Sequence, residues 1–142
     1  MYDEYYNESK RSGGIHNIEN SCVHLYAHLM KFISVKPILT GWVGTIIEHL
    51  YQLSRINNQS YWRNIHNNQA KLNDIRRKAI KEYEKDGNKN GDIQFNVVYN
   101  NFYSILLFRD IKFVKLYLIN HCDNDENMIS YINNKFYEKF NF

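Results

Sequence analysis

Apolar residues recur at helical spacing through most of the chain. From Asn17 to Val35, Cys22, Leu25, Tyr26, Leu29, Met30 and Ile33 follow one another at helical intervals, and Pro37 closes the segment because proline disfavours the α conformation of the residue before it. A second helix is predicted to open at Gly41 and Trp42. Its residues Trp42, Ile46, His49, Leu50 and Leu53 lie within about 80° of one another on a helical wheel, and it ends near Ile56 to Asn58. A third, longer segment runs from Ser60 to Lys85, with Tyr61, Ile65, Leu72, Ile75, Ala79 and Tyr83 on one stripe and Asn68 interrupting it. Asp86, Gly87 and Asn88 through Gly91 form the stop signal and the candidate exposed loop.

The last third reads as three shorter helices, over 93–108, 111–121 and 125–140, with Asp110 and Asp123 or Asn124 placed as N-caps. Val97 to Tyr99 and Phe113 to Ile119 are also good strand material, so residues 95–119 stay open between a buried helix and a strand. Residues 1–14, ending in Ser12, Gly13 and Gly14, read as a flexible arm. The rest, 15–142, reads as a single helical domain made of N-terminal helices over 15–86 and C-terminal helices over 92–142. The predicted fold class is an all-α, single-domain bundle of five or six helices whose C-terminal third is the part open to a mixed structure.

Composition narrows this further. At 142 residues there is no room for two independent cores, and 44% hydrophobic with 23% charged residues excludes a disordered chain. One proline and six glycines are too few for the turns of an all-β sandwich or barrel. The 12 Tyr, 8 Phe and 20 Asn are the unusual part, and AT-rich codons favour all three. No stretch approaches the ~18 apolar residues of a membrane span, and the N-terminus lacks an apolar signal core, so no membrane association or secretion is expected. Cys22 and Cys122 have no CxxC spacing and read as two buried thiols in a reducing, cytoplasmic setting.

The net charge of +3 is unevenly spread. Residues 1–54 carry −1, residues 55–91 carry +5 and residues 92–142 carry −1. Within the basic segment, Arg63, Asn67, Lys71, Arg77, Lys78, Lys81 and Lys85 form one helix face broken by Asp74, a row that reads first as a solvated face and otherwise as one suited to a phosphate backbone or an acidic protein surface. His24 and His28, four apart, share a helix face that a metal ion can bridge. A third ligand is required, and Cys22, Glu48 and His49 are the nearest in sequence. On the wheel, His24, His28 and Lys31 lie opposite the apolar stripe whereas His49 lies within its own, so the two sets are not required to meet. Tyr2, Tyr5 and Tyr6 in the arm, with Phe136, Tyr137, Phe140 and Phe142 at the end, are aromatic without an obvious core to join and suggest a docking surface. The chain has no GxGxxG, P-loop, GxSxG or HExxH pattern, and Arg63 and His66, only three positions apart, do not fit the wider Arg–His spacing of helical ribonucleases.

Residues 19–85 resemble a family of small bacterial helical proteins of unknown function called DUF29. The resemblance lies in Glu19 to Phe32, ending in His28-Leu29-Met30-Lys31-Phe32, in Gly41-Trp42 followed by Thr45-Ile46, and in Ile75 to Glu82. It implies an all-helical fold and no known activity; the family's acidic start and its Tyr and Ala-Arg positions are not reproduced. The residues themselves point to a non-enzymatic protein-binding or regulatory protein, of the kind a phage or mobile element uses to inhibit a host system, with another protein or a second copy as partner and no cofactor implied. The alternatives are a nucleic-acid binder using the basic face of residues 63–85 and a helical metal-binding protein.

Overall fold

A computed structural model describes residues 15–34, 40–56, 67–106 and 111–142, with side chains described for 19–34, 43–55, 67–101 and 111–142. Among the described residues there are six α-helices: α1 (Ile15–Ser34), α2 (Thr40–Ile56), α3 (Gln69–Glu84), α4 (Gly91–Leu106), α5 (Ile111–Asn120) and α6 (Glu126–Phe140). The fold is an all-α bundle, and the segment open between helix and strand is helical in α4 and α5. The arm over 1–14, the closing Pro37, the start of the third predicted segment and the expected cap Asp110 lie outside the described residues.

Helix α1 is the centre. It packs against α2, α3 and α4, while α3 packs on α4, α2 on α6, α6 on α5, and α4 meets α5. The helices therefore form two groups, α1/α3/α4 and α2/α5/α6, joined mainly along the α1–α2 seam. Between Ser21 and Phe32 no side chain of α1 is exposed. Leu25, Tyr26, Leu29, Met30 and Phe32 join Ile46, Ile47, Leu50 and Leu53 of α2, Ile75, Ala79 and Tyr83 of α3, Phe95 and Val98 of α4, Val114 and Leu118 of α5, and Met128, Ile132 and Phe136 of α6 in one hydrophobic cluster. Each such large side chain stabilises the fold by about 1.5–3 kcal/mol through burial.

Local chemistry sets the helix ends. Asn68, which interrupts the apolar stripe in the sequence, is the N-cap of α3: its side chain accepts a hydrogen bond from the Lys71 N–H at 3.2 Å. The expected caps of the last helix are corrected. Asp123 and Asn124 both have positive φ, 49° and 64°, a conformation that an N-cap does not use. Asp125, with φ −69° and ψ 101°, is the cap and accepts from the N–H groups of Asn127 and Met128 at 3.1 and 3.2 Å. The turn after α3 depends on Gly87 at φ 88°, and its N–H donates to the Glu84 carbonyl at 3.0 Å. Asn90, Asn124 and Asn141 take three of the other left-handed positions, so part of the Asn content is structural.

Two contacts tie the groups internally. Ser34 Oγ donates to the Met30 carbonyl and shares a 2.6 Å hydrogen bond with Tyr83 Oη, fastening α1 to α3. On the other side, α2 and α6 approach at Gly44, where an added Cβ would stand 2.5 Å from Tyr131 Oη. Lys139 and Glu48 form an ion pair at 3.0 Å beside that contact.

Cap removal separates the two readings of the last helix. Asp125→Ala is expected to destabilise the protein by about 1 kcal/mol, and Asn68→Ala by a similar amount. In urea denaturation, a larger loss for Asn124→Gly, which removes the side chain and keeps the left-handed backbone available, than for Asp125→Ala would contradict the cap assignment.

Candidate functional site

Among the described residues the large apolar side chains left in water are few, and four of them lie on two neighbouring helices. Ile93 is 60% exposed and Leu116 58%, with Val97 and Phe113 each just over one-third exposed. Ile93 and Val97 are four apart on α4, and Phe113 and Leu116 are three apart on α5, so each pair shares a helix face. The polar residues among them are small or cationic: Asp92, Asn96, Asn100 and Asn101 are exposed on α4, and Lys112 on α5. The Lys112 and Lys115 ammoniums lie 5.4 and 6.0 Å from the Phe142 ring centroid, so the cations of α5 cover the end of the chain. The sequence reading missed these four positions. Apolar residues on short helices look like core, and the signal that distinguishes them, the fit between the polar face and the neighbouring helix, is not in the pattern of one segment.

The C-terminal aromatic cluster is corrected. Phe136 is 0% exposed and belongs to the core, whereas Phe140 and Phe142 are half-buried against it. The three rings stack with centroids 5.7 to 6.2 Å apart, and Phe140 meets Tyr51 of α2 edge-on at 5.9 Å. Met128, Ile132, Phe136 and Phe140 recur every four residues and turn inward together, a period visible in the sequence. Tyr137, one position off that stripe, is 66% exposed and is the member of the group that remains available to a partner. Tyr2, Tyr5 and Tyr6 lie outside the described residues.

The basic face is largely neutralised within the chain. Lys71 pairs with Glu19 of α1 at 2.9 Å, Arg77 and Lys78 both reach Asp74, and Lys85 reaches Glu82 at 2.7 Å. The hydrogen bond from Lys85 holds the Glu82 carboxyl below its ordinary pKa, and that carboxylate raises the Lys85 ammonium. Lys81 is exposed beside these pairs. Arg63 lies outside the described residues. A row that reads as continuous positive charge in sequence is thus interrupted on its own helix by Asp74 and Glu82.

The structure brings His24 and His28 to His49, a meeting that the helical wheel does not require. The His24 and His49 rings are stacked with centroids 5.9 Å apart and planes 4° apart, and His28 stands 5.7 Å from His49. The wheel fails here because α1 is covered on its polar side as well, by α2. Lys31, placed with the histidines on that side, is buried too and forms a 2.8 Å ion pair with Asp86. Burial lowers the pKa of all three imidazoles, His28 to about 4 and His49 to about 3, with neighbouring positive charge adding to the effect. Among the described residues no group of three or more His, Cys, Asp or Glu side chains is placed to hold a metal ion.

Cys22 and Cys122 are buried free thiols; burial raises the Cys22 pKa, and Cys122 Sγ donates to the Leu118 carbonyl at 3.0 Å. Neither thiol is set up as a nucleophile. A groove of about 330 Å³ lies between α2 and α6, lined by Thr45, Glu48, Tyr131, Lys135 and Lys139 among others, and its walls are already bridged by the Glu48–Lys139 pair. No helix among the described residues is long and apolar enough to cross a membrane. Compared with protein-family models, curated proteins and solved structures, the chain matches none.

The two neighbours Phe136 and Tyr137 give opposite expectations. Phe136→Ala should cost about 3–5 kcal/mol of stability, as a large-to-small change in the core does. Tyr137→Ala should change stability by less than ~0.5 kcal/mol. Equal losses in thermal or urea unfolding would place Phe136 on the surface.

Proposed function

We propose that this chain is a non-enzymatic protein-binding module that engages a partner protein through the apolar residues exposed on α4 and α5. The observation that carries the reading is the exposure of Ile93 and Leu116, both more than half accessible, on two helices that touch one another. Isolated exposed apolar residues are ordinary, but pairs at i, i+4 and i, i+3 on adjoining helices form the kind of anchor that an interface desolvates. The Asn and Lys side chains around them suit a polar rim. The self-paired charges of α3 weigh against a phosphate backbone as the main ligand, since cations engaged with Asp74, Glu82 and Glu19 release fewer counterions on binding. The module acts by occupying a surface on a larger assembly, which is how a regulatory or inhibitory protein of this size works without catalytic groups. The DUF29 resemblance over residues 19–85 implies no activity and covers neither α4 nor α5.

Two surface variants test this. In pull-downs from host extract and in binding assays on the protein captured, Ile93→Asp with Leu116→Asp is expected to weaken binding by roughly tenfold or more per position while leaving the helical circular dichroism unchanged. Neutralising Lys78, Lys81 and Lys85 together should leave binding nearly intact. The reverse pattern, with binding lost on neutralisation, removed by nuclease and falling steeply with salt, would overturn the reading in favour of a nucleic-acid ligand.

A further inference from the structure

The α1–α2 seam joins the two helix groups, and three imidazoles meet in it. His24 and His28 come from α1 and His49 from α2, and His49 is only 7% exposed. The charged groups facing them come from α1 and from the end of α3. Lys31 of α1 is paired with Asp86, and Lys85 with Glu82, so two positive and two negative charges oppose one another. On α2, Glu48 is engaged by Lys139 of α6 rather than turned to the imidazoles. Among the described residues no uncompensated carboxylate therefore stands ready to accept an imidazolium, and a proton placed on His49 meets the His24 and His28 rings within 6 Å. His28 Nδ1 is buried and has no hydrogen-bond partner among the described residues, so it has no contact that would strengthen on protonation.

We propose that this imidazole cluster is an acid-operated latch: with its three rings neutral, α2 closes onto α1, and protonation parts the α2/α5/α6 group from the α1/α3/α4 group. Burial supplies the bias. In the closed form His28 and His49 take up protons only near pH 4 and 3, whereas an imidazole in water does so near its ordinary value of 6.5. Above pH 6.5 the rings are neutral in both forms, and the closed form has its full stability. As pH falls from 6.5 toward 4 the open form binds more protons, and the closed-to-open equilibrium shifts by about tenfold per pH unit for each of these two histidines. The opening is local because Tyr26 with Phe95 and Ser34 with Tyr83, which hold α1 to α4 and α3, are contacts made without an imidazole. Parting the seam exposes apolar side chains of α2 that are buried in the closed form, Ile46, Leu50 and Leu53 among them.

Hydrogen exchange of the full chain between pH 7 and 5, corrected for the intrinsic pH dependence of exchange, tests the latch. Protection of α2 amides is expected to fall by up to roughly a thousandfold over that range, with α3 unchanged. His49→Leu should reduce the slope for α2 by about tenfold per pH unit, since one proton fewer is taken up. A uniform loss of protection across α2 and α3, or an unaltered slope in His49→Leu, would overturn the proposal. Should that variant not fold, the imidazole nitrogens of the unaltered chain decide by NMR. Rings that titrate near pH 6.5 while α2 stays protected would overturn the latch, and rings whose protonation accompanies the loss of α2 protection support it.

Discussion

The burial of α1 on all sides is the constraint on which the other helices depend. A helix between Ser21 and Phe32 without one exposed side chain cannot be stable as a surface element and must be enclosed. Helices α2, α3 and α4 enclose it, and their remaining apolar stripes then need cover in turn. For α2 that cover is α6, which brings Phe136 inward, and α5 closes the second group against α6 and α4. The core is one continuous cluster because each helix after α1 completes the burial of one that came before it.

Enclosing α1 also imposes costs. Its sequence carries His24, His28 and Lys31, groups that would be hydrated on an ordinary amphipathic helix. Lys31 pairs with Asp86, which sits at the turn held by Gly87. The imidazoles instead remain neutral and stack, which is possible because histidine loses its charge at little expense near neutral pH. Tyr26 shows the same pressure at the other side of the helix. Its hydroxyl is buried with no hydrogen-bond partner among the described residues, and its ring is held by Phe95 and Tyr99 at 5.1 and 6.4 Å. Packing of the ring outweighs the unsatisfied oxygen.

Much of this fold is legible in the amino-acid pattern. The runs of Leu25, Leu29 and Met30, of Ile46, Leu50 and Leu53, and of Ile75, Ala79 and Tyr83 are core stripes in the structure as they are in the sequence. Asn68 is visible as an anomaly, although only geometry shows that it begins a helix instead of interrupting one. Three features were not legible, for one shared reason. That His24 and His28 meet His49, that Phe136 is core, and that Leu116 is exposed each depend on which helix lies opposite, and a helical wheel knows only its own segment. A wheel assigns one wet side to every helix, so it fails first on a helix with no wet side, and then on short helices such as α5 whose apolar residues exceed what their neighbours can cover.

The candidate docking face and the histidine seam are linked by the same topology. Ile93 and Val97 belong to the group built on α1, and Phe113 and Leu116 to the group built on α2. A partner seated across α4 and α5 therefore holds both groups, and any free energy it gains from touching both is available only while the groups are closed. Such a partner stabilises the neutral imidazole stack, and by reciprocity protonation of the stack weakens the partner's hold, although His49 touches neither α4 nor α5 in the contacts described. The size of that coupling is bounded by the difference between binding one group and binding both. It vanishes for a partner that uses only Leu116 and Phe113, and this makes the contribution of Ile93 and Val97 to binding the quantity that decides whether the two sites communicate.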